Sequence, residues 1–252
     1  MAGIMSEVTL KLQIKTSKVT EKNIQSQLRK IMMAWSCFYD LSNGCDKWAL
    51  QKFFNWKDDP AYLSKNIMLI ELKSIIYCMG AKFYDEETAK YLYSFSKTQT
   101  ITTGEALRLL RGVACTSKFM TFMEILNDIF DINNPTFSFL KLKEFVLSLK
   151  QSHFNSLLSF RYLKHFWKTI YERFHKSNGI LNAIIEGATY FLRTKEQYNE
   201  VLTLRNSVPE TDYSTLASLD QAIDQIVYNI NWDIRNLKKF RKWLVFYNKT
   251  LI

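Results

Sequence analysis

Apolar residues recur along this chain at helical spacing almost without interruption. Leu216, Leu219, Ile223, Ile226 and Ile230 step by 3, 4, 3 and 4, which places them on one helical face. Phe160, Leu163, Trp167, Ile170 and Phe174 make a second stripe, and Ile67, Ile70 and Leu72 to Ile76 a denser, more buried one. Strand-like alternation is confined to Val8, Leu10, Leu12 and Ile14. The punctuation agrees: 252 residues hold only 7 Gly and 3 Pro, too few for the many turns of a sandwich or barrel. The pattern predicts an all-α fold of roughly twelve helices, near 20–38, 45–55, 64–80, 86–96, 103–115, 117–130, 138–150, 156–175, 179–191, 195–205, 214–230 and 232–248. Thr102 with Glu105, and Thr194 with Gln197, read as capping boxes, in which each side chain satisfies an orphan donor at the helix start. Ser64 and Ser138 read as simple N-caps.

No Pro/Gly/Ser linker interrupts the series. The candidate hinges are Asp58-Asp59-Pro60 and Asn206 to Thr211, and both are short. Paired helices in an unbroken string predict an α-solenoid of antiparallel helix pairs, a HEAT- or armadillo-like superhelix over 20–252, in which each pair packs on its neighbours. Residues 1–19 read as a tail or a strand-like lid. The first helix carries Leu28, Ile31, Met32, Trp35 and Phe38, more apolar surface than one neighbouring helix covers. Met32 and Trp35 are therefore expected to be partly exposed, under a partner, a second copy, another domain or that lid.

Residue chemistry excludes several functions. The three histidines, His153, His165 and His175, lie 12 and 10 residues apart, so no pair sits one helical turn apart as a helix-borne zinc site requires. There is no G-x-G-x-x-G, P-loop, G-x-S-x-G or C-x-x-C. No apolar run approaches the length of a membrane span or of a signal peptide. The chain carries 34 Lys and Arg against 24 Asp and Glu, a net charge of +10. Its sharpest cluster is Arg235, Lys238, Lys239, Arg241 and Lys242, with Phe240, Trp243 and Tyr247 nearby, a combination also found in nucleic-acid sites. Trp232, Leu237, Phe240 and Leu244 share one face, however, so an amphipathic terminal helix with a solvated basic side explains the same residues, and nucleic acid is the weaker reading. By spacing, the four cysteines, Cys37, Cys45, Cys78 and Cys115, are either two disulfides or four buried thiols.

Four segments, in order, resemble the C-terminal domain of the zinc aminopeptidase family that contains aminopeptidase N and the endoplasmic-reticulum aminopeptidases. They are Leu72-Lys-Ser-Ile-Ile-Tyr-Cys-Met-Gly80, Glu105-Ala-Leu-Arg-Leu-Leu-Arg-Gly-Val-Ala-Cys-Thr116, Ile185 to Val201 with Thr194 opening a helix, and Ala222 to Trp232 followed by Asn236 and Trp243-Leu244. The resemblance runs from about Ile24 to Leu244. It implies a bowl of helix pairs that closes over a separate zinc domain and limits substrate length. It also implies two disulfides, Cys37 with Cys45 and Cys78 with Cys115. Arg108, Arg111 and Lys118 would then face the concave side, although a helix-surface ion pair with Glu105 or another neighbour serves each of them as well.

The family's zinc-binding H-E-x-x-H and amine-binding G-x-M-x-N motifs are absent from these 252 residues, so no residue inherits a catalytic or metal role and no cofactor is expected. Two readings follow from the resemblance. One is a non-catalytic helical-repeat protein that binds a peptide or protein, with a homodimer or an aminopeptidase catalytic domain among the partners. The other is part of an active membrane or secreted aminopeptidase whose catalytic domain lies elsewhere. A basic nucleic-acid-binding solenoid is the third reading and rests on charge alone. The compartment stays open: the missing signal peptide points to the cytoplasm, the paired cysteines to secretory-pathway ancestry.

Overall fold

The computed structural model describes residues 23–38, 44–65, 67–98, 100–131, 138–177 and 179–250. The expected lid or strand at 1–19 lies outside them. Twelve α-helices and two short 3-10 turns make up the regular structure of the described residues, with no strand among them.

The chain forms two compact units, residues 1–151 and 152–252. The first holds α1 (Asn23–Phe38), α2 (Cys45–Asp58), α3 (Ile67–Phe83), α4 (Glu86–Ser96), α5 (Thr103–Val113), α6 (Phe119–Phe130) and α7 (Phe139–Ser148). The second holds α8 (His153–His165), α9 (Trp167–Phe174), α10 (Ile180–Thr189), α11 (Lys195–Asn206) and α12 (Tyr213–Thr250). In the first unit α1, α3, α5 and α7 pack in a row, each on the next, and α4 packs on α6 beside that row. In the second unit α8, α10 and α12 form the row, with α11 against α12. Packing every second helix is the signature of a helical repeat, and the fold is an all-α helical-repeat domain.

Local signals place most helix starts. Asp85, Thr102, Ser138 and Thr194 each accept a hydrogen bond from a backbone N–H in the first turn of the helix that follows. At Thr194 the reciprocal bond from Gln197 completes a capping box. At Thr102 it is missing, because the Glu105 side chain turns inward to a lysine and a tyrosine of α3, and the expected box is a simple cap. Ser64 is not a cap either. It ends a 3-10 turn, α3 begins at Ile67, and the Ser64 hydroxyl accepts from Lys73 Nζ at 3.2 Å.

Two other boundaries differ from the sequence pattern. The helix expected over 156–175 starts at His153, capped by Ser152, and is interrupted at Phe166. Phe166 takes φ −104 and ψ 22, outside the helical well, so α8 and α9 leave at different angles and both bury their stripes. Phe160, Leu163, Ile170 and Phe174 are all buried. Conversely, the two helices expected over 214–230 and 232–248 are one helix, α12, because Asn231 is neither a Gly nor a Pro and nothing there breaks the hydrogen-bond ladder.

Candidate functional site

In the first unit, close helix packing at α3 requires two glycines, Gly80 of α3 itself against α2 and Gly112 of α5 at the α3–α5 contact. A β-carbon on Gly112 would stand 2.5 Å from Tyr77 Cβ, and one on Gly80 2.5 Å from the Phe53 ring. The contact is tied at one end by the Cys78–Cys115 bond, with the Cα atoms 5.2 Å apart. Cys37 and Cys45 are likewise bonded, at 5.1 Å, and join the end of α1 to the start of α2. Both are the pairs implied by the resemblance.

At the other end of the α3–α5 contact lies a polar cluster. Glu105 accepts from Lys73 Nζ through both oxygens at 3.1 Å, from Arg108 Nη1 at 3.1 Å, and from the Tyr77 hydroxyl. Lys73 and Glu105 keep only 8% and 14% of their side-chain exposure, so each needs the other's charge. Burial, and then the Glu105 carboxylate, push the Tyr77 hydroxyl far above the ordinary tyrosine range. The Tyr77 ring packs 4.7 Å from Trp56, which also meets Phe53 and Phe95. The cluster therefore holds a neutral phenol and a saturated carboxylate, the wrong equipment for proton transfer and the right one for fixing helix register.

The other basic residues singled out from sequence each have a local anchor. Arg111 of α5 pairs with Glu144 of α7. Lys118 occupies the N-cap position of α6 without a side-chain capping bond, and its charge acts on Asp85 at the start of α4. Hydrogen bonds from Thr88, with the Lys57 and Lys118 charges beside them, hold the Asp85 carboxyl below its usual range. Arg108 and Arg111 thus pair with two different carboxylates. On α1, Trp35 is 55% exposed beside exposed Ile31 and Leu28, Met32 is half-buried, and Met33 turns into the core.

The second unit carries a feature that the sequence pattern did not single out. Asn182 and Glu186 of α10, with Tyr190 just beyond it, face Ser218, Gln221 and Gln225 of α12 across a groove of about 240 Å³. Asn182 donates to Ser214 Oγ at 3.0 Å, and Gln225 to Asn229 at 2.9 Å, which fixes both amides on the groove wall. The available signal was the i,i+4 spacing of Asn182 with Glu186 and of Gln221 with Gln225, which puts each pair on one face. Polar residues so spaced read equally well as solvated surface. The three histidines stand apart, each against an aromatic ring: His153 on Phe191, His165 on Phe166 and His175 on Tyr171.

Alternate helices stacked in rows, with the α3–α5 contact closed by a disulfide, define a helical-repeat domain. The chain belongs to the ERAP1-like C-terminal domain family, whose pattern matches residues 1–228. Among its relatives, the thyrotropin-releasing hormone-degrading ectoenzyme of Homo sapiens is 20% identical over 219 residues, covering 86% of this chain and 19% of the relative. Endoplasmic reticulum aminopeptidase 1 of Mus musculus is 24% identical over 229 residues, covering 90% and 23%. Aminopeptidase N of Bos taurus is 21% identical over 206 residues, covering 80% and 21%. The chain spans about a fifth of the length of these curated relatives.

Proposed function

We propose that this domain is a non-catalytic helical-repeat module that binds a peptide or protein segment, and that the groove between α10 and α12 is where it does so. The observation that carries this reading is the facing pair of Asn182 and Gln221. A side-chain amide offers a donor and an acceptor together, the complement of a peptide's own N–H and C=O. Glu186 adds one negative charge and Tyr190 a half-open ring for an apolar side chain. Such a wall recognises backbone more than sequence, which suits a protein that handles many peptides. The test is anisotropy of a fluorescein-labelled pool of random decapeptides titrated with the purified chain. Binding is expected, and Gln221→Leu with Asn182→Leu should weaken it by about tenfold. Unchanged binding by that variant would move the site elsewhere. The same preparation, supplied with zinc, should release no N-terminal residue from those peptides.

A second reading has its own support. The chain covers only 19–23% of its aminopeptidase relatives, and the residues it covers form a C-terminal domain. It would then be the C-terminal part of an active enzyme, and the hydrolytic chemistry would belong to another part of the same polypeptide. An H-E-x-x-H reading frame directly upstream in the transcript would establish this. A transcript without one would leave the stand-alone module.

A further inference from the structure

A second groove of the second unit lies between α8 and α11 and encloses about 400 Å³. Arg161, Lys164 and His165 line it from α8. They stand at i, i+3 and i+4, so one helical face presents all three. Gln197 and Glu200, three apart in α11, form the facing wall. Half-buried Leu157 and buried Phe160 supply the apolar part of the lining. Lys164 Nζ reaches Glu200 Oε1 at 2.6 Å, so the two walls stand within one side chain's reach of each other.

The Lys164–Glu200 pair uses one cation and the one carboxylate among the lining residues. What remains is a set of donors. Among the described residues, Arg161 has no carboxylate partner. Among the same residues, neither ring nitrogen of His165 makes a hydrogen bond, and its ring stands edge-on to Phe166 with the centroids 4.5 Å apart. The side-chain oxygen of Gln197 is taken by the capping box of α11, where it accepts from the Arg193 N–H at 2.8 Å and the Thr194 N–H at 3.1 Å. The Gln197 amide therefore has only its N–H groups left to offer.

We infer that this groove binds a phosphate monoester on an aromatic or alkyl stem, with the phosphate on Arg161, His165 and Gln197 and the stem against Leu157 and Phe160. The donor count selects phosphate over carboxylate. A carboxylate has two oxygens, and the planar guanidinium fork alone matches both. A phosphate monoester has three terminal oxygens, so it takes the fork and still accepts from the imidazole and the amide. The charge agrees. With Lys164 offset by Glu200, Arg161 leaves the groove positive, and a protonated His165 adds a second charge for a dianion. A neutral or cationic ligand would leave Arg161 unmatched. The volume calls for the stem, because about 400 Å³ is the size of a small-molecule site and the part that a phosphate leaves unfilled is apolar. This inference is independent of the peptide-binding reading, because it uses no residue of the α10–α12 groove.

The experiment is isothermal titration of the full 252-residue chain with phenyl phosphate, benzoate and inorganic phosphate. Phenyl phosphate should bind at millimolar concentration and about tenfold more tightly than either of the others, which lack the third oxygen or the stem. Arg161→Gln should weaken phenyl phosphate about tenfold, and His165→Phe by a smaller factor. Arg161→Lys should fall between Arg161→Gln and the parent, because it restores the charge without the fork. Both residues are exposed, so the variants should keep the parent's melting temperature. Lys168→Gln, exposed in α9 and outside the groove, should bind like the parent. A pentapeptide with a central phosphotyrosine separates the two sources of the ligand. Binding as tight as that of phenyl phosphate identifies a phosphorylated protein segment, and exclusion of the pentapeptide alone identifies a small phosphorylated molecule. The inference is overturned if phenyl phosphate gives no heat, if benzoate binds equally well, or if Arg161→Gln has no effect. An equal loss in Lys168→Gln would also overturn it, since diffuse surface charge would then carry the binding.

Discussion

Gly112 of α5 passes so close to Tyr77 of α3 that a β-carbon there would also come within 2.9 Å of the tyrosine's carbonyl carbon. Backbone cannot rotate out of the way as a side chain can, so Gly112→Ala must push the two helices apart. The expected loss is about 1–3 kcal/mol, in the range of overpacked cores. Gly104, in the first turn of the same helix, is the control. A β-carbon there meets only the far end of Arg108, at 3.9 Å, and Ala should gain up to about 1 kcal/mol by favouring the helix. Urea unfolding of the two variants checks both signs at once.

The charge cluster on the same contact sets a second expectation. Glu105→Gln keeps the shape and an acceptor for Tyr77 but leaves the buried Lys73 without its counter-charge. A loss of about 3 kcal/mol is expected, the scale for breaking a buried pair from one side. Lys73→Met should cost less, because Arg108 and Tyr77 still serve the carboxylate. The double variant should cost less than the sum of the two. Additive losses in that cycle would mean that the pair is not coupled, and that packing alone holds the α3–α5 register.

These two helices also mark how far the sequence could be read. Their apolar spacing and the Thr102 cap were visible, because each follows from a local periodicity or a local hydrogen bond. The choice made by Glu105 was not. A carboxylate three residues after a threonine can close a capping box or turn to a lysine 32 residues away, and only tertiary packing decides. The break at Phe166 was hidden for a similar reason. No Gly or Pro marks it, and it arises because both halves of the stripe must face the core. The cysteine pairing became legible through family resemblance, since spacing by itself favoured free thiols. The Asn182–Gln221 groove was illegible because exposed amides on a helix look the same whether or not another helix faces them.

Asp212 should govern part of the acid response. It caps α12 through the Thr215 N–H at 3.1 Å and accepts from the Tyr171 hydroxyl at 3.0 Å. Burial pushes its carboxyl up, but the hydrogen bonds from Thr215 and Tyr171 and the nearby His175 outweigh this, and the net position is below the ordinary aspartate range. A carboxyl depressed in the folded state contributes stability that is complete above its unfolded value, about 3.9, and is lost as the pH falls through its folded value. Asp212→Asn should therefore lower stability at neutral pH and flatten its decline below about pH 4. Parallel acid limbs for the variant and the parent would show that other carboxylates carry the effect.

The last expectation separates the two disulfides. Both span similar Cα distances, 5.1 and 5.2 Å, so the loop each closes in the unfolded chain is the property that sets them apart here. Cys37 and Cys45 are 8 residues apart, and Cys78 and Cys115 are 37. Closing the longer loop removes more freedom from the unfolded ensemble. The chain-entropy account gives about 3.8 kcal/mol for the longer loop and about 2.5 kcal/mol for the shorter. Cys78→Ala with Cys115→Ala should accordingly lower stability by roughly 1.4 kcal/mol more than Cys37→Ala with Cys45→Ala. The longer bond also sits on the Gly112–Tyr77 contact. Its loss should let α3 and α5 separate slightly and relieve the Gly112→Ala variant, so those two changes together should cost less than their sum. Equal losses from the two disulfide variants would mean that residual structure in the unfolded chain, and not loop length, sets their contribution.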